Sequence, residues 1–407
     1  MKTRKNKVYK IQKYDRIFTS SGRRRKKRLR NTVLFVLAVL LLCFAGYSIA
    51  GPLSNLLRGQ KTHRGNSSGG LSSVSVTTSS EKSDTVKNET YQLSYLPRSV
   101  ARDPAALDTY LKTIKQKGYN AAVIELKDEN GAVYWNTKNE MAVSVGAVSA
   151  NETVDLGQLT AALSAAEIRP VAQISAFKDK IATKNSKAKI GYAGQPGWSW
   201  FDAANGKPWL NPYSAEAQGY ITDLACELAK NGFGQILVSG VMFPAVREIR
   251  SADFGELERT VSHADILKKY TADLKAALHE QKAELLLSYD GEQARRESNV
   301  IYGGADPVTF SADYYMPIWM LSQLSSLTVA GQTVSEPMSD VHTAITLLIA
   351  EIQAAHPQEK LIPQISGKED ALGGHYTAEQ IDAQQKACRA QKTAGFYSFD
   401  KNGSYGG

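Results

Sequence analysis

Cysteine and histidine are scarce in this chain, with three and six in 407 residues, and neither type forms a pattern. Cys43, Cys226 and Cys388 stand singly, so there is no disulfide framework. Cys226 and Cys388 fall on separate helical segments, where a thiol packs as a small hydrophobe. No H-E-x-x-H and no Cys/His spacing suited to zinc occurs, so neither a metal nor a cofactor is expected. A G-x-G-x-x-G after the first strand-like run is also missing, which argues against an open dinucleotide-binding sheet. No period of the length used by solenoids or propellers is visible.

A net positive charge is missing from most of the chain as well. The net charge is +9, but residues 1–30 hold 14 Lys and Arg against one Asp, a balance of +13 that leaves the remainder at −4. That mildly acidic bulk gives no reason to expect nucleic acid as a partner. The basic run Arg23-Arg24-Arg25-Lys26-Lys27-Arg28 abuts a segment, 32–57, that carries no charge at all. Its apolar stretch matches the roughly 20 residues that cross a bilayer, and the charge before it places the N-terminal side in the cytoplasm. A cleaved signal peptide is the competing reading, since Ser48-Ile49-Ala50 resembles a small-residue cleavage site. The long basic region and long apolar run favour the anchor. The expected organisation is a basic cytoplasmic tail over 1–31, a transmembrane helix over 32–57, a Ser/Thr/Gly-rich spacer over 58–90 and a domain over 91–407 outside the cell membrane.

Within that domain, apolar runs alternate with amphipathic segments. The runs lie at 92–96, 120–127, 169–176, 235–243, 284–289, 312–316, 361–365 and 395–399. Between them come helix starts such as Asp103-Pro104 and the capping box Thr377-Ala378-Glu379-Gln380, and helix stops such as Gly118 and Gly232. Eight strands separated mostly by helices predict an α/β fold, a (β/α)8 TIM-type barrel, here preceded by one N-terminal transmembrane helix.

One stretch carries a resemblance. Gly232-Phe233-Gly234-Gln235-Ile236, followed by Val241-Met242-Phe243-Pro244 and preceded by Trp209-Leu210-Asn211-Pro212-Tyr213, resembles the bacterial family labelled "putative glycoside hydrolase", barrels related to the α-amylases. Phe177-Lys178-Asp179 and Asp313-Tyr314-Tyr315-Met316-Pro317 match further motifs of that family, over roughly residues 91 to 400. The resemblance implies an acid at position 239 and an arginine at 242, where this chain has Ser239 and Met242. It also implies Arg, Asp and Asp where Gln173, Asn211 and Ser288 stand.

Glycoside hydrolysis normally requires two carboxylates flanking the bond, and a serine cannot take the place of either. Neither Ser239 nor Ser288 lies in a G-x-S-x-G elbow. The acids available near strand ends as displaced catalytic groups are Glu125, Asp290 and Glu292. Period-two spacing puts Glu125 and Lys127 on one face, where they could pair across the barrel mouth. All five tryptophans fall on the expected mouth loops, and indole faces suit sugar rings. Lys127, Asp128, Trp135, Trp198, Trp200, Trp209, Ser239, Asp313 and Trp319 are therefore the candidate binding residues. The first expectation is a membrane-anchored barrel that binds cell-wall or capsule polysaccharide with reduced or lost hydrolysis. An active glycosidase with displaced carboxylates and an envelope protein-interaction scaffold are the alternatives.

Overall fold

The computed structural model describes residues 90–405, apart from 203–205, 246 and 297–298. Eight parallel strands close into a barrel: β1 (Tyr91–Tyr95), β2 (Ala121–Lys127), β3 (Arg169–Ser175), β4 (Gln235–Ser239), β5 (Glu284–Asp290), β6 (Tyr314–Ile318), β7 (Gln364–Ser366) and β8 (Gly395–Phe399). Each expected strand is present, shifted or shortened by a few residues. The run expected to reach Phe243 ends at Ser239, because Gly240 takes a φ of +69° that a continuing strand does not allow. The ring closes where β1 pairs with β8.

Six long helices cover the outside: α1 (Pro104–Gln116), α2 (Leu156–Ala165), α3 (Ala215–Lys230), α4 (His263–Glu280), α5 (Val341–Ala355) and α6 (Ala378–Ala390). Their starts are locally encoded. Asp103 accepts from the backbone N–H of Ala105 and Ala106 ahead of Pro104, and Thr377 and Gln380 form the reciprocal capping box. Helix α1 buries Leu107, Tyr110, Leu111 and Ile114, the stripe that a 3.6-residue period dictates. Between β5 and β6 the described residues form no long helix, but a single turn, Gly291–Ala294, and two 3-10 turns.

Two apolar layers result. Leu93, Val123, Val171, Leu237, Leu286, Met316 and Tyr397 fill the barrel, while alternate residues such as Ile124, Ile174, Ile236 and Leu287 meet the helices. After β8, Tyr405 closes the wall between β1 and α1. Its hydroxyl receives the Tyr95 N–H at 2.6 Å and donates to the Ser398 carbonyl at 2.6 Å.

The expected transmembrane helix is corrected here. No helix among the described residues is long and apolar enough to cross a membrane, and the span expected over 32–57 lies outside the described residues. The fold of the described residues is the α/β barrel. The membrane anchor, the membrane as a partner and the single-pass placement with a cytoplasmic N-terminus are withdrawn with that helix.

Candidate functional site

In barrels of this kind the chemistry sits at the C-terminal ends of the strands. Glu125, near the end of β2, pairs in register with Gln173 on β3, which pairs with the inward-facing Leu237. Glu125 thus faces the barrel interior. Its Oε2 accepts a hydrogen bond from Arg98 Nη1 at 2.7 Å, and the Arg98 guanidinium lies 3.6 Å above the Tyr134 ring. Burial holds the Glu125 carboxyl above the ordinary carboxylate range, a shift that Arg98 opposes without cancelling. Tyr95 packs alongside, its ring 5.0 Å from that of Phe399. Arg98 and these aromatic residues were not among the sequence candidates. The signal was there: an arginine placed directly after the C-terminal end of β1.

Lys127 does not join Glu125. A bulge at Leu126 makes Lys127 pair with Ile174, an outward-facing residue, so the period-two expectation fails by one position. The Lys127 ammonium is buried outside the barrel wall, 2.9 Å from Asp179 Oδ2 and 2.7 Å from the Ser175 carbonyl, with the Tyr220 ring 5.8 Å away. Asp128 is spent on a turn. Its carboxylate accepts from the N–H groups of Asn130 and Ala132 and from the Tyr134 hydroxyl at 2.9 Å. Burial would raise its pKa, but these bonds outweigh burial and lower it.

The strands that follow β2 around the barrel carry hydroxyls. Ser175 pairs with Ser239 between β3 and β4, and Ser288 shares the inward parity of Leu286 on β5. Ser239 Oγ donates to the Ile174 carbonyl at 3.4 Å, a long and weak bond. Asp290 ends β5 on the same side, exposed, and its Oδ1 accepts the Gln293 N–H as a helix cap. Glu292 turns away to Arg295 at 3.2 Å.

Asp313 lies at the other end of the barrel. It precedes β6, where it accepts the Leu285 N–H at 2.8 Å and pairs with Lys275 at 3.0 Å and His279 at 2.9 Å on α4. It ties α4 to two strands and takes no part in the mouth. The tryptophans also divide. Trp135, Trp200, Trp209 and Trp319 are buried in the core, whereas Trp198 is 66% exposed, on the hairpin formed by Gly191–Tyr192 and Gln195–Ser199. Asn211 is structural, donating to the Phe254 carbonyl and accepting the Tyr213 N–H.

The arrangement is thus a barrel mouth with one charged, aromatic wall and one hydroxyl wall. A family model described as "Putative glycosyl hydrolase domain" matches residues 94–405. The chain belongs to this family. The family's barrel is shared with the glycoside hydrolase domain of PgaB (BpsB) from Bordetella bronchiseptica, at 12% identity, over 77% of this chain and 95% of that one, with a TM-score of 0.56. A hypothetical protein from Ruminiclostridium thermocellum is 22% identical over 48% of this chain and 96% of its own, with a TM-score of 0.41. The catalytic domain of β-amylase from Paenibacillus polymyxa is 11% identical over 77% and 92%, with a TM-score of 0.47. No curated protein matches.

Proposed function

We propose that the mouth of this glycosyl-hydrolase-family barrel binds polysaccharide with reduced or lost hydrolysis. The observation that carries this reading is the hydroxyl wall. Ser175, Ser239 and Ser288 occupy adjacent inward positions on β3 to β5, where the family resemblance implies acids at 239 and 288. Serines donate and accept hydrogen bonds to sugar hydroxyls, but they neither protonate a leaving group nor stabilise an oxocarbenium ion as a carboxylate does. Glu125 on the adjacent β2, with Arg98, adds a charged acceptor and donor, and the exposed Trp198 offers an apolar face of the kind sugar rings stack on. The fold likeness to the glycoside hydrolase domain from Bordetella bronchiseptica supports a carbohydrate ligand in kind, not a particular one.

A second reading has one observation in its favour. Burial raises the Glu125 carboxyl above the ordinary carboxylate range, the direction a general acid needs, and Asp290 is a second carboxylate on the inward side of β5. The experiment is a panel of soluble polysaccharides offered to the full chain, scored for binding by affinity electrophoresis and for cleavage by reducing-end release. Retardation without new reducing ends is the expected result. Cleavage lost in both Glu125→Gln and Asp290→Asn would replace the first reading by the second, and no retardation by any polysaccharide would defeat both.

A further inference from the structure

The barrel interior changes character partway up. The strand registers carry the stagger of about one residue per strand usual in such barrels, so each level is filled by four side chains from alternate strands. Leu93, Val171, Leu286 and Ile362 make one level, and Val123, Leu237, Met316 and Tyr397 the next. The level above returns to β1, β3, β5 and β7 and holds Tyr95, Gln173, Ser288 and Gln364. A fully packed barrel carries a third apolar layer at this height. Here the third layer is polar, and it forms the floor of the mouth, one level beneath Glu125 and Ser239.

Strands β3 and β7 stand on opposite sides of the eight-stranded ring, so Gln173 and Gln364 face each other across the floor. Among the described residues no hydrogen bond or ion pair engages the side chain of Tyr95, Gln173, Ser288 or Gln364. Their polar atoms are nevertheless not shut in. Tyr95, Gln173 and Gln364 are half-buried, and none of the four polar tips shares the state of the Tyr397 hydroxyl one level down, which is buried without a partner. Amides and hydroxyls both donate and accept, so this floor can pair with sugar hydroxyls or with an acetamido group. Burial raises the Tyr95 hydroxyl above its ordinary pKa, which keeps it a neutral donor. No group on the floor carries a charge. Glu125, one level up, is already bound to Arg98 at 2.7 Å, and an apolar layer lies directly beneath. A charge brought to this level would lose water without gaining an opposite charge.

We propose that Gln173 and Gln364 are the specificity-determining residues of the mouth, and that they select an uncharged sugar unit over a uronate or a free amino sugar. This rests on the reading of the mouth as a polysaccharide site. The test is calorimetric titration of the full chain with four tetrasaccharides: cellotetraose, the N-acetylglucosamine tetramer, its fully deacetylated form and tetragalacturonate. Sodium chloride at about 1 M cuts the Debye length to about 3 Å and keeps the basic residues 1–30 from gathering the anion. At least one neutral tetramer should bind, about tenfold or more tighter than either charged one. Gln173→Leu and Gln364→Leu keep most of the side-chain bulk and should each raise the neutral Kd about fivefold, the weight of one hydrogen bond. Melting temperatures should not fall, because neither amide bonds to the protein. Charged tetramers bound as tightly as neutral ones, or a neutral Kd unchanged in both variants, would overturn the proposal while leaving the mouth a polysaccharide site. A melting temperature lowered in both variants would assign the amides to the fold and overturn it as well. If no tetrasaccharide binds, the proposal fails, and the reading of the mouth fails with it only where the polysaccharide panel also shows no retardation.

Discussion

Lys127 and Asp179 form an ion pair at 2.9 Å with neither side chain exposed, at the point where the β2–α2 and β3–α3 loops leave the barrel. Asp179 Oδ1 also accepts the Ala182 N–H at 2.7 Å, and a Cβ at Gly131 would stand 1.9 Å from that same oxygen. Gly131 has a φ of +95°, so the turn both requires glycine and uses its missing side chain to admit the carboxylate. The pair therefore fastens two long loops to each other behind the charged wall of the mouth.

Breaking that pair from one side leaves a charge buried alone. Lys127→Met and Asp179→Ala should each lower the unfolding free energy by about 3–5 kcal/mol. The double variant should recover part of that loss, because no lone charge then remains. Urea titrations followed by circular dichroism measure both. A single variant within about 1 kcal/mol of wild type would show that the pair is dispensable.

Asp313 and Glu125, whose pKa values shift in opposite directions, make opposite contributions to pH dependence. Burial alone would raise Asp313, but the Leu285 N–H, His279 and Lys275 outweigh it and hold its pKa below 3.8. Its stabilising contribution is complete above that unfolded value and is lost as pH falls through the lower folded value. Asp313→Asn should therefore be less stable than wild type near neutrality, with the gap closing on the acid side. Glu125 is raised above its ordinary 4.5, so its contribution is full below 4.5 and fades as pH climbs through the higher folded value. Glu125→Gln should flatten that decline. Melting temperatures across the acid range test both signs, and a gap at Asp313 that widens on acidification would reverse the assignment.

Trp198 and Trp209 should separate binding from folding. Trp198 is 66% exposed, and Trp198→Ala should leave stability within about 0.5 kcal/mol while weakening polysaccharide binding by about 1–3 kcal/mol if a ring stacks there. Trp209 is 4% exposed, and Trp209→Ala should cost about 3–5 kcal/mol of stability. Affinity electrophoresis beside thermal melts reads the contrast. Unchanged binding by Trp198→Ala would remove that ring from the site.

What the sequence made legible follows from range. Strand positions, helix caps and the capping box at Thr377 depend on neighbours a few residues apart, and the barrel follows from their order. Lys127 was misplaced because the bulge at Leu126 is a register event between two strands, invisible to a period-two count. Asp313 was placed at the mouth although β6 begins only at Tyr314, so the residue belongs to the strand's other end. The tryptophans sat on the right loops, but loop membership does not fix exposure, and four of the five close the core. Arg98 was readable by position, yet its pairing with Glu125 depends on β1 and β2 lying side by side.

Ser239 gives the most direct test of the mouth. It stands at the inward end of β4, half-buried, with one hydrogen bond of 3.4 Å to the Ile174 carbonyl. If the wall from β3 to β5 recognises sugar hydroxyls, each serine contributes a hydrogen bond of about 1 kcal/mol, or roughly fivefold in affinity. Ser239→Ala should then weaken binding by no more than that and leave stability almost unchanged. Ser239→Asp restores the acid that the family resemblance implies at this position. Its register neighbour is Ser175, and Lys178, which lies beside the Gly240 turn, is already paired with Glu129. Reducing-end release should stay at background in Ser239→Asp, because one carboxylate without a positioned second does not complete the acid and nucleophile pair. Cleavage appearing in Ser239→Asp would show that the rest of the machinery is intact and that this single exchange silences it. Cleavage by wild type that disappears in Ser239→Ala, with binding kept, would instead make the serine itself part of the chemistry and end the binding-barrel reading.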